Sequence, residues 1–95
     1  MTKTMFTIYD SKTNAFDVPQ FAKTRGDGIR AFTSAVLKGN TMLSEHPADF
    51  TLFELGYYDE QSGQFSIHEA KINLGTVAEL VGNAKQENQN LSLAN

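Results

Sequence analysis

Apolar positions in the first forty residues alternate with polar ones and then recur at helical spacing. Residues 5–9 are rich in aromatic and β-branched side chains and predict a strand, and residues 15–18 predict a second one after a polar turn. A helix is predicted from Asp27, its N-cap, to Lys38, and Gly39 is expected to end it. The apolar face of this helix carries Ile29, Phe32, Val36 and Leu37.

The second half of the chain predicts another hairpin and a short helix. Residues 50–58 form the first strand of this hairpin, and residues 64–68 return after a polar turn. Residues 72–74 are a candidate for a short fifth strand. Residues 76–82 predict a helix, because Thr and Glu there have capping-box spacing. The residues of the returning strand expected to point inward are Phe65 and Ile67. The predicted connections are residues 20–28 and 40–48.

The strand at 50–58 is apolar on both faces. One face carries Phe50 and Leu52, and the other carries Phe53, Leu55 and Tyr57. This pattern favours a central strand, or a strand whose second face meets a partner, and it leads us to predict a homodimer. Gly56 is expected to mark a bulge or a close approach of two backbones.

Together these elements predict one α+β domain over residues 1–82. Its architecture is a mainly antiparallel, four- to five-stranded sheet of two hairpins, with one helix packed on one face. A chain of 95 residues holds a single core, since it cannot divide its apolar surface between two. Residues 83–95 are polar and rich in Asn and Gln, and they predict a flexible tail.

Composition excludes several classes of protein. The chain has no cysteine, which rules out a disulfide scaffold, a thiolate nucleophile and a cysteine zinc site. No apolar run predicts a signal peptide or a membrane span, so a cytoplasmic protein is expected. The net charge of −3 argues against a dedicated nucleic-acid binder. However, the charge is unevenly distributed. Residues 1–40 hold six basic and three acidic residues, a net charge of +3, whereas residues 41–95 hold two basic and eight acidic residues, a net charge of −6.

Basic residues before and along the predicted helix form the strongest candidate site. A glycine-bearing loop that leads into a helix places backbone N–H groups where phosphates bind, and arginines can add bidentate contacts. The alternative is an ordinary solvated helix face. With one turn lysine and one tyrosine added, the predicted nucleic-acid-binding residues are Tyr9, Lys12, Lys23, Arg25, Arg30 and Lys38.

Other side chains give weaker signals. Tyr9, Tyr57 and Tyr58 are the aromatic residues expected to be partly exposed, where they can stack on unpaired bases. The Gly26-Asp27-Gly28 sequence lacks the Gly-Lys-Ser/Thr ending of a phosphate loop, and the two histidines lack metal-ligand spacing. The sequence therefore predicts no metal, no cofactor and no catalytic residues, and hence a protein that is not an enzyme.

Three stretches of the sequence resemble one known family. They are Phe6-Thr7-Ile8-Tyr9-Asp10-Ser11-Lys12, then Ala31-Phe32, and then the run from His46 through Gly56. Together they resemble the small nonstructural protein of gokushovirus-type microviruses, which are phages with circular single-stranded DNA genomes. The matching motifs are structural rather than catalytic, and the chain from Ala70 onward matches weakly.

The resemblance implies a nonstructural DNA-binding protein tied to single-stranded genome synthesis or packaging. It places the protein in the cytoplasm of a host bacterium, with DNA, single-stranded by preference, as its partner and no membrane. The alternative that the acidic second half favours is a protein-interaction module that acts on the phage initiator, the procapsid or a host replication factor.

Overall fold

The computed structural model describes residues 1–94, and the side chains of residues 1–86. The chain folds as an α+β domain with an antiparallel sheet, which confirms the predicted class. Its strands are β1 (Thr2–Asp10), β2 (Ala15–Phe16), β3 (Gln20–Ala22), β4 (Phe50–Asp59) and β5 (Gln64–Thr76). Its helices are α1 (Arg25–Leu37), α2 (Met42–Glu45) and α3 (Val77–Ala94).

The sheet is built on two hairpins, as predicted, and every pairing in it is antiparallel. β1 and β4 lie side by side at its centre, so the prediction of a central strand at 50–58 is confirmed. β5 covers the outer edge of β4, and the short strands β2 and β3 pair with successive parts of the outer edge of β1. Two sets of bulges interrupt β5, and its residues 68–71 have no β4 partner.

Several predicted boundaries are wrong. The connection at 20–28 contains β3, whose three residues form a strand only because β1 lies alongside. The loop at 40–48 contains α2, a single turn held by a capping box between Thr41 and Ser44. The segments 64–68 and 72–74 belong to one strand, β5.

The last helix does not end at Gly82, as predicted, but continues to Ala94. Glycine weakens a helix interior without forbidding it. The sequence also predicts a flexible tail at 83–95. Most side chains of this segment, and Asn95 as a whole, lie outside the described residues, so the flexible tail stays a prediction. Within the described residues, no helix is both long and apolar enough to span a bilayer.

The core lies between the sheet and the helices α1 and α3, on what we call the helix side. Phe6 and Leu52 from the central strands pack against Leu80 of α3. Next to them, Val36 of α1 and Phe50 pack against Val77, which is fully buried at the start of α3. The predicted packing of a helix on one face is therefore correct, but two helices share that face.

The N-cap of helix α1 lies three residues earlier than predicted. The hydroxyl of Thr24 accepts a hydrogen bond from the Asp27 backbone N–H at 3.1 Å, so Thr24 is the cap and Asp27 lies in the first turn. Both residues suit a helix start, and the sequence alone does not separate them. At the other end Gly39 has a left-handed conformation, with φ of 80°, and it ends the helix as predicted.

We expect Gly28→Ala to destabilise the protein by about 1–3 kcal/mol, although alanine favours helices. Gly28 lies directly over the ring of Phe6, and a Cβ atom at this position would be 2.3 Å from the Phe6 Cζ atom. Gly26 is the matched control, since a Cβ there would meet nothing closer than 3.9 Å. In urea unfolding, the free energy of unfolding of the Gly26→Ala variant should equal or exceed that of the wild type. A Gly28→Ala variant as stable as the Gly26→Ala variant would contradict this packing.

Candidate nucleic-acid interface

The predicted basic residues are exposed, but the fold does not gather them into one cluster. Lys12 lies in the turn after β1, whereas Lys23 follows β3 beside the opposite end of β1. The stretch of β1 that separates these two ends, from Thr4 to Asp10, spans roughly 20 Å. Arg30 and Lys38 are eight residues apart along α1, which corresponds to about 12 Å. The five cations therefore extend over both ends of β1 and along α1, and their role in phosphate binding stays a prediction.

Arg25 makes a contact that sequence reasoning missed. Its Nε–H donates to Glu54 Oε1 at 2.7 Å, and its second guanidinium nitrogen donates to Oε2 at 3.2 Å. This bidentate pair occupies the donor edge that a phosphate would need. Arg25 as a phosphate ligand stays a prediction, and the ion pair argues against it.

The Glu54 carboxylate is the most buried charged group in the described residues, with 1% of the side chain exposed. Besides Arg25 it contacts His68, whose Nε2–H donates to Oε2 at 2.7 Å. The hydrogen bond from Arg25 is the largest cause that lowers the pKa of Glu54; burial opposes this effect, and His68 adds to it. The same bond raises the pKa of Arg25. Both groups therefore stay ionised near neutral pH, and the cluster ties α1 to β4 and β5.

A sequence signal for this cluster exists. Along β4 the residues Phe50, Leu52, Glu54 and Gly56 are buried in strict alternation. Glu54 is thus a carboxylate at a core position, which requires a cationic partner. Arg25 of α1 and His68 of β5 are the partners that meet this requirement. His68 also packs edge-on against the Tyr57 ring, at 5.2 Å between centroids.

The opposite face of the sheet, which we call the open face, contributes no side chain to the two core clusters that pack against α1 and α3. Phe65 and Ile67 of β5 lie here with 57% and 62% of their surface exposed, so the prediction that they point inward is wrong. Phe16 and Phe21, on the two short strands, are about half exposed (49% and 47%). Alternation showed which residues share a face, but not which face the helices cover.

Aromatic rings on the open face form two groups. The Phe16 cluster joins Tyr9, Phe16 and Phe53, with centroid distances of 4.8 Å and 6.0 Å from Phe16. The Tyr58 cluster joins Phe21, Tyr58 and Phe65, with distances of 6.0 Å and 5.0 Å from Tyr58.

These rings reach across β1 and cover it. Met5 and Thr7 of β1 have 5% of their surface exposed although they face away from the helices, because the rings of neighbouring strands lie over them. The open face is thus a packed aromatic layer with an exposed outer surface.

The three tyrosines predicted for stacking do not all lie on the same face of the sheet. Tyr9 belongs to the Phe16 cluster, and its hydroxyl donates to Asn14 Oδ1 at 2.8 Å. Tyr58 is the centre of the other cluster. Tyr57 points to the helix side, where it contacts His68. The described residues contain no group of three or more His, Asp or Glu side chains placed to hold a metal ion.

Comparison with known proteins gives one match. The model of a family described as Phage ORF5 protein matches residues 3–80, which include β1 except its first residue, the other four strands, α1, α2 and the start of α3. No curated protein and no solved structure matches the chain.

Proposed function

Since the chain belongs to the phage ORF5 protein family, we propose that it is a non-enzymatic phage protein that binds DNA, preferably single-stranded, during genome synthesis or packaging. It acts in the cytoplasm of the host bacterium, with no cofactor and no membrane partner. The family places it in a phage, and the DNA-binding role is inferred from the surface of the molecule.

The aromatic open face is the observation that carries the proposal. Unpaired bases expose their ring faces, whereas the bases of a duplex are already stacked on each other. Proteins that bind single strands offer aromatic side chains as stacking partners. Phe16, Phe21 and Phe65 are half exposed on one surface, where an ordinary domain of this size would cover them or replace them with polar residues.

The net charge of −3 sets a limit on this proposal, because phosphate contacts supply most of the non-specific affinity for DNA. Binding is therefore expected to be weak to moderate and sensitive to salt. The exposed cations Lys12, Lys23, Arg30 and Lys38 remain candidates for phosphate contacts, and Tyr9 remains a candidate for stacking.

We expect a labelled single-stranded oligonucleotide to bind with higher affinity than a duplex of the same sequence. The measurement is fluorescence anisotropy at low and at moderate salt, with the two DNA forms titrated in parallel. Affinity for the single strand should fall as salt rises, with a log–log slope of about −0.7 for each phosphate contacted. Equal affinity for both forms would contradict stacking, and absence of binding at about 50 μM would contradict the proposal itself.

A second candidate function is a protein-interaction module acting on the phage initiator, the procapsid or a host replication factor. The exposed apolar side chains Val18, Leu37 and Met42, which lie outside the two aromatic clusters, favour it. The excess of acidic residues after residue 40 also disfavours DNA. A stoichiometric partner copurifying from infected cells, together with no DNA binding, would decide for this function.

A homodimer is also part of the proposal. Ile67 of β5 has 62% of its surface exposed on the open face, at an edge of the sheet and outside the two aromatic clusters, and a second copy that covers this edge would leave Phe16 and Phe21 exposed. Sedimentation at micromolar concentration tests this, and a monomer would exclude it.

A further inference from the structure

We propose that the open face holds two stacking subsites for one run of unpaired nucleotides, and that Lys3 and Lys71 supply the phosphate contacts between and beside them. This rests on the proposed function and deepens it. The proposed DNA site then lies on the open face of the sheet, and not on the loop and helix that the sequence indicated.

The first subsite is the Phe16 cluster with Lys71. The Lys71 ammonium lies 5.3 Å from the centroid of the Phe16 ring. This distance is within the range of a cation–π contact, so the fold itself holds a cation against an exposed aromatic ring. Because the ammonium lies over a face of the ring, a base that stacks there would displace it, and the displaced ammonium would be within reach of the phosphate of the same nucleotide. Stacking and neutralisation side by side are what single-strand binding requires.

The second subsite is the Tyr58 cluster with Lys3. Lys3 is the β1 residue directly opposite Tyr58 in the strand register, so their side chains leave the sheet on the same face. Phe65, the most exposed ring of this cluster, is paired with Tyr58 on its other side. A cation thus lies beside this aromatic group as well.

One strand of DNA can reach both subsites. Phe16 lies opposite Tyr9 of β1, and Phe21 lies opposite Met5. These positions are four residues apart on one strand, which corresponds to about 13 Å. A few nucleotides span that distance, so the two subsites form one short footprint across the sheet.

The carboxylates at the paired strand positions lie away from this face. Among the paired strand positions, the carboxylates Asp10, Glu54 and Asp59 share the helix side with Phe6 and Ile8 by alternation along β1 and β4. Other carboxylates border the open face. Glu60 lies 3.9 Å from the Lys3 ammonium in an exposed contact, and Glu69 lies in the unpaired stretch of β5. Glu60 therefore competes with a phosphate for Lys3.

The test compares single lysine and arginine substitutions that change the net charge equally. Lys3→Gln and Lys71→Gln should each weaken binding of an oligonucleotide of about ten thymidines by about threefold to tenfold at low salt, and each should reduce the salt slope by about 0.7. The matched control is Lys85→Gln on α3, an exposed lysine outside both candidate sites, which should leave the slope unchanged. Lys23→Gln and Arg30→Gln test the candidates on the helix side. Glu60→Gln should tighten binding, whereas Glu45→Gln, equal in charge, should tighten it less.

Stacking is tested separately with Phe16→Leu and Phe65→Leu. Leucine keeps most of the apolar area and removes the ring face, so each variant should bind about fivefold or more weakly. Thermal unfolding checks that each phenylalanine variant is folded. If either is not, the lysine variants alone test the proposed site. The outcomes separate the two proposals. No binding by the wild type overturns DNA binding as such, whereas binding that depends on Lys23 and Arg30 but not on Lys3 and Lys71 overturns this site alone.

Discussion

Replacing Gly56 by alanine is expected to cost about 3–5 kcal/mol of folding free energy, a large part of the stability of a domain of this size. A Cβ atom at this position would lie 2.2 Å from the Ser66 carbonyl oxygen and 2.8 Å from the Ile67 Cα atom. Both are backbone atoms of β5, which cannot move away without breaking the pairing of the two strands. Gly56 also has φ of 153°, a conformation that residues with a Cβ rarely adopt.

Urea unfolding measures this effect, and Gly63→Ala is its matched control. Gly63 also has a positive φ, of 72°, but a Cβ there would meet nothing closer than 3.9 Å. That variant should lose about 1 kcal/mol, because only the conformational strain applies. A Gly56→Ala protein as stable as the Gly63→Ala protein would mean that β4 and β5 do not approach as closely as described.

Gly56 also shows what the sequence could predict well. A glycine inside an apolar strand pattern indicates a bulge or a close backbone approach, and the structure confirms both. The alternation of apolar residues likewise gave β1, β4 and the two hairpins, since period and turn chemistry are local properties. The α+β class followed from these elements.

The sequence did not predict features that depend on distant contacts. Three residues such as β3 carry too little pattern to indicate a strand, and they become one only beside β1. Which face of β5 is covered depends on where α1 and α3 pack, so Phe65 and Ile67 were assigned to the wrong side. For the candidate site, the residue types were identified but their grouping was not. Arg25 was assigned to phosphate because its partner Glu54 lies 29 residues away in sequence.

The Arg25–Glu54–His68 cluster explains why a buried carboxylate is tolerated at a core position. The guanidinium and the imidazole together supply three hydrogen bonds, which offset the cost of removing the carboxylate from water. Such a cluster is strongly stabilising relative to a variant that lacks one member, even where an apolar replacement of all three would be neutral. The aromatic open face does not depend on it directly, so DNA binding and this cluster can be tested independently.

We expect Glu54→Gln to destabilise the protein by about 2–4 kcal/mol at pH 7. The amide keeps the size of the side chain but removes the negative charge, and its NH₂ group is directed at donors where the carboxylate accepted. The expected loss of stability is smaller than for a fully buried ion pair, because the Arg25 side chain is half exposed and water can replace part of its contact with Glu54. Glu60→Gln is the control, since its exposed 3.9 Å contact with Lys3 should contribute less than about 1 kcal/mol.

The dependence of this loss on pH identifies its origin. The folded-state pKa of Glu54 lies below its ordinary value of 4.5, so its ionic contribution is fully present above about pH 4.5 and is lost as the pH falls through the folded-state pKa. The wild type also loses stability in acid through Asp59 and Glu79, whose pKa values are lowered by hydrogen bonds. The informative quantity is therefore the difference in unfolding free energy between wild type and Glu54→Gln, measured from pH 7 to about pH 3. That difference should be constant above about pH 5 and should shrink below pH 4.5 as Glu54 of the wild type becomes protonated. A difference that stayed constant throughout would assign the loss to packing of the amide rather than to the buried charge.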